Sequence, residues 1–408
     1  MPSTVDVAIV GAGAAGIAAA RAVRAAGASY VVLEAAARLG GRALTDHSLG
    51  FPLDLGCTWL HSADRNPLAD GDPAQYDRDR QAARLFLDDQ ARWANAAEQS
   101  QHAAYITACE AATARVAARG EDPPVATVIP DDPLYRRHFE WWCGAYTSVP
   151  PQDLSALDWC RYLDTHQNWT VPDGFGQHII RRANGLNIRR ETPVLAIDRR
   201  GPRLRLTTPA GIVEAARVIV TAGTEALKRI RFLPALPFNT EAAIHRLPLG
   251  RANKVVMRFD RLDPDWLPAR SGLLSVRFGR FGRPVAESFV EASIARALEP
   301  EGEAAQIAFV LAQLEAMYGS AIRQRLTGAR ASLWGQTPWI WGAYSAMTPG
   351  GGDPRADLAE PVDQRLFFAG EAIHPIFCTA AHGAWESGQR AAGEATASLP
   401  GPAGWGSL

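Results

Sequence analysis

Lysine is almost missing from this chain: of 42 basic residues only Lys228 and Lys254 are lysines, and the others are arginine. That scarcity makes each surviving lysine worth placing. An excess of either charge is missing too, since 42 Lys+Arg stand against 43 Asp+Glu for a formal net charge of -1. This removes the electrostatic case for nucleic acid or an anionic membrane surface as the main partner and leaves a small molecule. Cysteine is sparse: Cys57, Cys109, Cys143, Cys160 and Cys378 are scattered and never spaced as CxxC, which speaks against structural zinc and a disulfide framework and for a reduced, cytoplasmic protein. No stretch approaches the roughly 20 apolar residues of a membrane span. The amino-terminal MPSTVDVAIVGAG lacks the basic region and long apolar core of a signal peptide. Internal repeats, an HExxH metal motif and a serine or cysteine nucleophile arrangement are also lacking.

What is present begins at once. The segment VDVAIVGAGAAGIAAARAVRAAGASYVVLEAA reads as an apolar strand, a glycine turn, an alanine-rich helix and a second strand, a βαβ unit. Gly11, Gly13 and Gly16 supply the GxGxxG spacing: one glycine for the tight turn, one for close approach to a pyrophosphate, one for close helix packing. The helix amino terminus then favours negative charge. Glu34 ends the second strand roughly 20 residues on, where a carboxylate accepts hydrogen bonds from a ribose. This predicts dinucleotide binding but does not separate FAD from NAD. At 408 residues and 47% hydrophobic, the chain is long enough for two domains.

The strand GRANKVVMRFD at 250–260 carries Lys254. Period-two alternation places Lys254, Val256 and Arg258 on one face and Val255, Met257 and Phe259 on the other. From the strand alone, Lys254 either faces water or serves a site that needs an amine. Near the carboxyl end, RLFFAGEAIHPIFCTAAHGAWESGQRAAGEAT reads as a buried strand, a loop with Gly370 and Glu371, and a helix beginning near Ala380. FEWWCGAY at 139–146 is either core or the lining of a hydrophobic tunnel.

ARLGGRALT at 37–45 resembles the RxGGRxxT motif of two-dinucleotide-binding-domain flavoproteins, matched by Arg38, Gly40, Gly41, Arg42 and Thr45. FPLDLGCTWLHS at 51–62 resembles the DLGxxWxH segment of polyamine-oxidase-like members of the flavin amine oxidase family. GFGQHII, ETPVLAID with Val194, ARVIVTAG, NKVVMRFD and WGQTPWIWGAYS follow in the family's order. The resemblance implies FAD held by Gly11, Gly13, Gly16, Glu34, Arg38, Gly41, Arg42, Val194, Gly370, Glu371 and Ala381. It also implies that Lys254 holds a water beside flavin N5, with Tyr344 as one aromatic wall. His61 is either a proton-exchanging group near the substrate or a loop cap. Covalent members have a cysteine where this chain has Ala343, so FAD is expected to be noncovalent. Ala380 stands where a second cage tyrosine is common, leaving the cage open or rebuilt by Phe377, Trp339 or Trp341.

The implied fold class is α/β: a discontinuous Rossmann-type FAD-binding domain (1–75, 172–236 and 336–408) with a substrate domain of mixed sheet (237–335) plus a helical insertion (76–171). The implied reaction is oxidation of an amine C–N bond by hydride transfer to the flavin, with imine hydrolysis and molecular oxygen as acceptor. A flavin-dependent amino acid oxidase or desaturase and a noncatalytic FAD-binding scaffold are the alternatives.

Overall fold

Strand β1 (Ser3–Val10), helix α1 (Ala14–Ala25) and strand β2 (Tyr30–Leu33) open the chain. The computed structural model describes residues 3–78 and 82–399. By internal contact the chain divides into two units, one of residues 1–41, 179–246 and 353–408 and the other of residues 42–178 and 247–352. The motif segments 42–75 and 336–352 group with the second unit.

In the first unit, β1 and β2 pair in parallel from Val7 with Tyr30 to Val10 with Leu33. On its other side β1 pairs in parallel with Gly211–Val220, which in turn pairs in parallel with Leu366–Phe368. Val7, Ala8 and Ile9 are all fully buried, because a parallel sheet covered on both faces leaves no polar side to alternate with. One covering layer is α1, packed with the helix Ala381–Ala397 through a shared core of Val7, Ile9, Ala15, Ala19, Ala391 and Ala395. The two helices approach closely because Gly388 has no side chain: a Cβ there would lie 2.1 Å from the Ala15 carbonyl oxygen.

The second unit is built on a sheet ordered Leu326–Ala331, Asn253–Phe259, Val285–Val290, Ser275–Phe278, Ala269–Arg270, Arg84–Leu87, Arg92–Trp93. Val255, Met257 and Phe259 point from the Lys254 strand into a core shared with Val310, Leu314 and Met317 of the helix Glu303–Tyr318. The opposite face is covered as well, since Val256 packs with Leu53, Leu55 and Val285. Lys254 shares that face and is therefore buried, not solvated.

The sequence predicts a helical insertion at 76–171, yet its alanine-rich run DRQAARLFLDDQARWANAAEQ, which begins at residue 79, is not one continuous helix. Arg84–Leu87 is a strand paired in parallel with Ala269–Arg270, and the helix starts only at Ala96, capped by Asn95 and Glu98. Leu85, Phe86 and Leu87 are all buried, so the sheet claims these apolar side chains over local helix propensity. Part of that run, 79–81, lies outside the described residues. No helix among the described residues is long and apolar enough to cross a membrane.

Candidate active site

The glycines of the first unit shape a cradle that side chains would fill. Gly11 has φ +100, and a Cβ there would meet Thr221 Oγ1 at 2.6 Å. Gly16 sits against the Gly11 carbonyl, where a Cβ would lie 1.9 Å from the oxygen. Gly13 bridges to Gly40, and Gly41, at φ +58, would bring a Cβ to 3.4 Å from the Gly13 Cα. Gly11 and Gly13 thus present backbone with no side chain over it, and α1 begins behind them with no side-chain cap, leaving amino-terminal N–H groups for an anion.

Glu34 is buried and braces the cradle: Oε2 accepts from the Ala12 N–H (2.6 Å) and Oε1 from the Ala36 N–H (2.8 Å). Burial raises its pKa, and the two backbone donors oppose that rise. Each oxygen keeps a further lone pair, the one a ribose hydroxyl needs. Arg38 curls back on its own loop, donating to the Gly41 carbonyl (2.7 Å) and the Leu39 carbonyl (3.3 Å). Desolvation lowers its pKa. Gly370, at φ +147, donates its N–H to Ser387 Oγ (2.8 Å). Glu371 is buried and accepts from the Thr379 N–H (3.1 Å). Ala381 opens its helix behind Ala380, again without a side-chain cap. Val194 is buried just before the strand Ala196–Asp198.

In the second unit Lys254 is the centre of a polar cluster. Its Nζ donates to the Gly56 carbonyl (2.6 Å) and to Thr58 Oγ1, and stands 4.9 Å from the centre of the Trp59 ring. Desolvation pushes its pKa down to about 8; Glu287 and Asp54 oppose this and Arg280 adds to it. Gly56 is required because a Cβ would lie 1.9 Å from the Arg42 carbonyl oxygen. Asp54 is buried and holds Thr45 Oγ1 (2.6 Å) and the Phe175 and Gly176 N–H groups (2.8 and 3.2 Å). Burial raises its pKa to about 6 against those bonds. Arg42 donates to the Ala343 carbonyl (2.5 Å).

His61 lies beside Trp59, with ring centres 5.9 Å apart, and its Nδ1 meets Asn168 Oδ1 at 2.7 Å. Desolvation lowers its pKa, opposed by the Asn168 bond, so the ring is neutral near pH 7. With Oδ1 accepting, Nδ1 carries the proton and Nε2 is left basic. Tyr344 is pinned at both ends: its hydroxyl donates to the Ala145 carbonyl, and its own carbonyl accepts from Ser148 Oγ (2.8 Å) and the Gly250 N–H (3.0 Å). Trp339 and Trp341 both have positive φ, 67 and 57, with ring centres 5.9 Å apart. Bulky residues adopt that conformation only under surrounding constraint. Phe377 stacks on His374 (5.2 Å) and packs on His382 (4.4 Å) within the first unit.

The profile of flavin containing amine oxidoreductases matches residues 77–396. The chain belongs to that family. The profile of NAD(P)-binding Rossmann-like domains matches residues 9–70. Polyamine oxidase 3 of Oryza sativa subsp. japonica is 28% identical over 95% of this chain and 88% of its own length. Lysine-specific histone demethylase 1 homolog 2 of Arabidopsis thaliana is 27% identical over 95% of this chain and 58% of its own. Among solved structures, cyclohexylamine oxidase from Brevibacterium oxydans IH-35A superposes with a TM-score of 0.83 at 21% identity, over 97% of this chain and 99% of that one. Putrescine oxidase bound to putrescine gives 0.84 at 23%, over 97% and 100%. These two likenesses share the fold.

This flavin amine oxidoreductase is therefore an α/β Rossmann-type protein that uses FAD to oxidise amines. The bare glycine cradle, the lone pairs of Glu34 and the uncapped helix at Ala381 fit a dinucleotide. The sequence singles out Lys254 but not three residues near it in the structure, Asp54, Thr58 and Arg280. Asp54 and Thr58 lay inside the DLGxxWxH segment and were open to that inference. Arg280, in FGRFGR, carried only the weak signal of an arginine bracketed by glycines.

Proposed function

We propose that this protein oxidises an amine C–N bond with noncovalently bound FAD, releases the imine for hydrolysis, and uses molecular oxygen as acceptor. The observation that carries the reading is the anchoring of Lys254. A neutral amine has two N–H donors, and the Gly56 carbonyl and Thr58 hydroxyl oxygen are two acceptors; the lone pair is left to accept a proton or to orient a water. A guanidinium would stay charged there and has no such lone pair. When bound, FAD supplies the acceptor for the hydride from the amine α-carbon and returns its electrons to oxygen.

The first unit, with Gly11, Gly13, Gly16, Glu34, Arg38, Gly41, Val194, Gly370, Glu371 and Ala381, is the part we assign to the cofactor. Arg42, whose Nη1 donates to the Ala343 carbonyl, is assigned to the cofactor by its place in the RxGGRxxT motif. The second unit is assigned to the substrate. There Lys254 holds the water or takes the amine proton, His61 Nε2 is a second proton acceptor, and Tyr344 is an aromatic wall whose angle is fixed by its hydroxyl. Alanine at 343 supports a noncovalent cofactor, since it offers no thiol. The five cysteines, all unpaired, support a reducing, cytoplasmic setting.

Two outcomes follow from this cluster. The rate of amine oxidation rises as pH increases through about 8, where Lys254 loses its proton. Asp54→Asn removes a negative charge that favours the ammonium, so the same limb moves to lower pH; the pH profile of initial rates reads both. Tyr344→Phe loses one hydrogen bond, costing about 1 kcal/mol of stability, and leaves turnover within a few-fold, whereas Tyr344→Ala removes the wall and raises KM. Melting curves beside steady-state kinetics separate the two.

The reaction assignment is tested by product accounting. Consumption of one oxygen for each peroxide and each carbonyl product is the expected result. Amine-dependent flavin reduction with no peroxide on reoxidation would remove oxygen as the acceptor.

A further inference from the structure

Arg280 is a buried cation whose hydrogen bonds are not made. Its side chain is 7% exposed, yet Nη1 and Nη2 hydrogen-bond nothing among the described residues. Glu287 Oε2 lies 3.0 Å from Nε as an ion partner, without hydrogen-bond geometry. A desolvated guanidinium left this way is costly, and such exceptions call for an absent partner.

The fold takes trouble to direct this side chain inward. Arg280 sits in the turn that joins Ser275–Phe278 to Val285–Val290. Gly279, Phe281 and Gly282 all have positive φ, at 70, 57 and 70. Glycine adopts that conformation freely, but Phe281 does not. Glu287 pairs across the ladder with Val256, two residues from Lys254 on the same face. The guanidinium carbon is 5.3 Å from the Trp59 ring centre, and the Lys254 Nζ is 4.9 Å from the same centre. One indole thus has both cations against it.

The chemistry of a partner follows from the donors. Nη1 and Nη2 present parallel N–H groups, a fork that matches the two oxygens of a carboxylate. A second ammonium at this place would be repelled by Arg280, which argues against a diamine or polyamine lying along Trp59. Glu287 offsets part of the Arg280 charge and Asp54 already holds Thr45 and two backbone N–H groups, so the preference rests on the Nη fork, which donates to a carboxylate and has no lone pair for an ammonium.

We propose that Arg280 is a specificity residue that receives a carboxylate carried by the amine substrate, so that this oxidoreductase prefers amino acids to simple monoamines or polyamines. The inference rests on the proposed role of Lys254 at the reacting amine.

The test mixes the holoenzyme anaerobically with matched pairs: 2-phenylethylamine and phenylalanine, 3-methylbutylamine and leucine, 1,4-diaminobutane and either ornithine or 4-aminobutanoate. The acid-bearing member of at least one pair bleaches the flavin faster at limiting concentration. Arg280→Met raises its half-saturating concentration roughly tenfold to a hundredfold and abolishes the preference. Arg280→Lys, which keeps the charge, gives a smaller shift and serves if Arg280→Met does not fold. Benzoate binding, read from the flavin spectrum, needs no turnover: wild type binds it and Arg280→Met binds it at least about tenfold more weakly. Preference for the acid-free amine in every pair, with equal or no benzoate binding in wild type and variant, overturns the proposal and leaves Arg280 satisfied by water. Bleaching by no amine contradicts the proposed function instead, and the benzoate comparison then decides the Arg280 assignment alone.

Discussion

Exchange of Lys254 for methionine is expected to slow amine oxidation about 10²–10⁴-fold while FAD stays bound. Methionine fills the same buried volume without an amine. Its thioether donates to neither Gly56 nor Thr58, and no proton can be taken at that atom. The Lys254 cluster belongs to the second unit and the glycine cradle to the first, so the flavin-to-protein ratio of the variant should match wild type. Stopped-flow mixing separates reduction by amine from reoxidation by oxygen, and the loss should appear in at least one half-reaction. The pH limb near 8 should vanish with the lysine, which distinguishes titration of Lys254 from titration of the substrate's own amine. Unchanged rates in both half-reactions would strip Lys254 of its role.

The other large effect is expected at Gly16. Its Cα faces the Gly11 carbonyl so closely that even a first side-chain carbon would lie 1.9 Å from the oxygen, inside any contact distance. Gly16→Val must push α1 off β1 or twist the 11–13 backbone, at a cost of about 3 kcal/mol by the usual scale of overpacking. Either movement displaces the uncapped N–H groups at the α1 amino terminus and the bond from Ala12 to Glu34. The purified variant should carry little FAD and melt earlier, and added FAD should restore little of it. A normal flavin content would mean that the cradle is not where the dinucleotide binds.

The contrast between these residues shows what a sequence discloses. Gly16 was legible because its function is steric: no other residue fits, and the spacing from Gly11 and Gly13 repeats that constraint in the text of the chain. Lys254 was half legible. Alternation put it on a face with Val256 and the exposed Arg258, and only the packing of Val256 with Leu53, Leu55 and Val285 shows that its end of the strand is covered. Glu34 was placed at the right strand end, but two backbone donors occupy its oxygens before any ligand does. The strand Arg84–Leu87 was hidden because alanine-rich helix runs on after it, and its partner Ala269–Arg270 is far away in sequence. Arg280 was hardest to read, since its inward direction depends on left-handed backbone at Phe281, a conformation that phenylalanine does not advertise. The residues read most readily were those whose backbone or spacing demands are local; those missed are set by contacts between distant segments.

If an amine delivers the electrons to this flavin, a nicotinamide donor should not. Anaerobic titration of the purified holoprotein with monoamines, polyamines, amino acids and nicotinamide donors, followed by flavin absorbance, tests it most directly. The predicted result is full bleaching by one amine class and none by NADH or NADPH. Bleaching by a nicotinamide donor, or an inert flavin against every amine, would contradict the account.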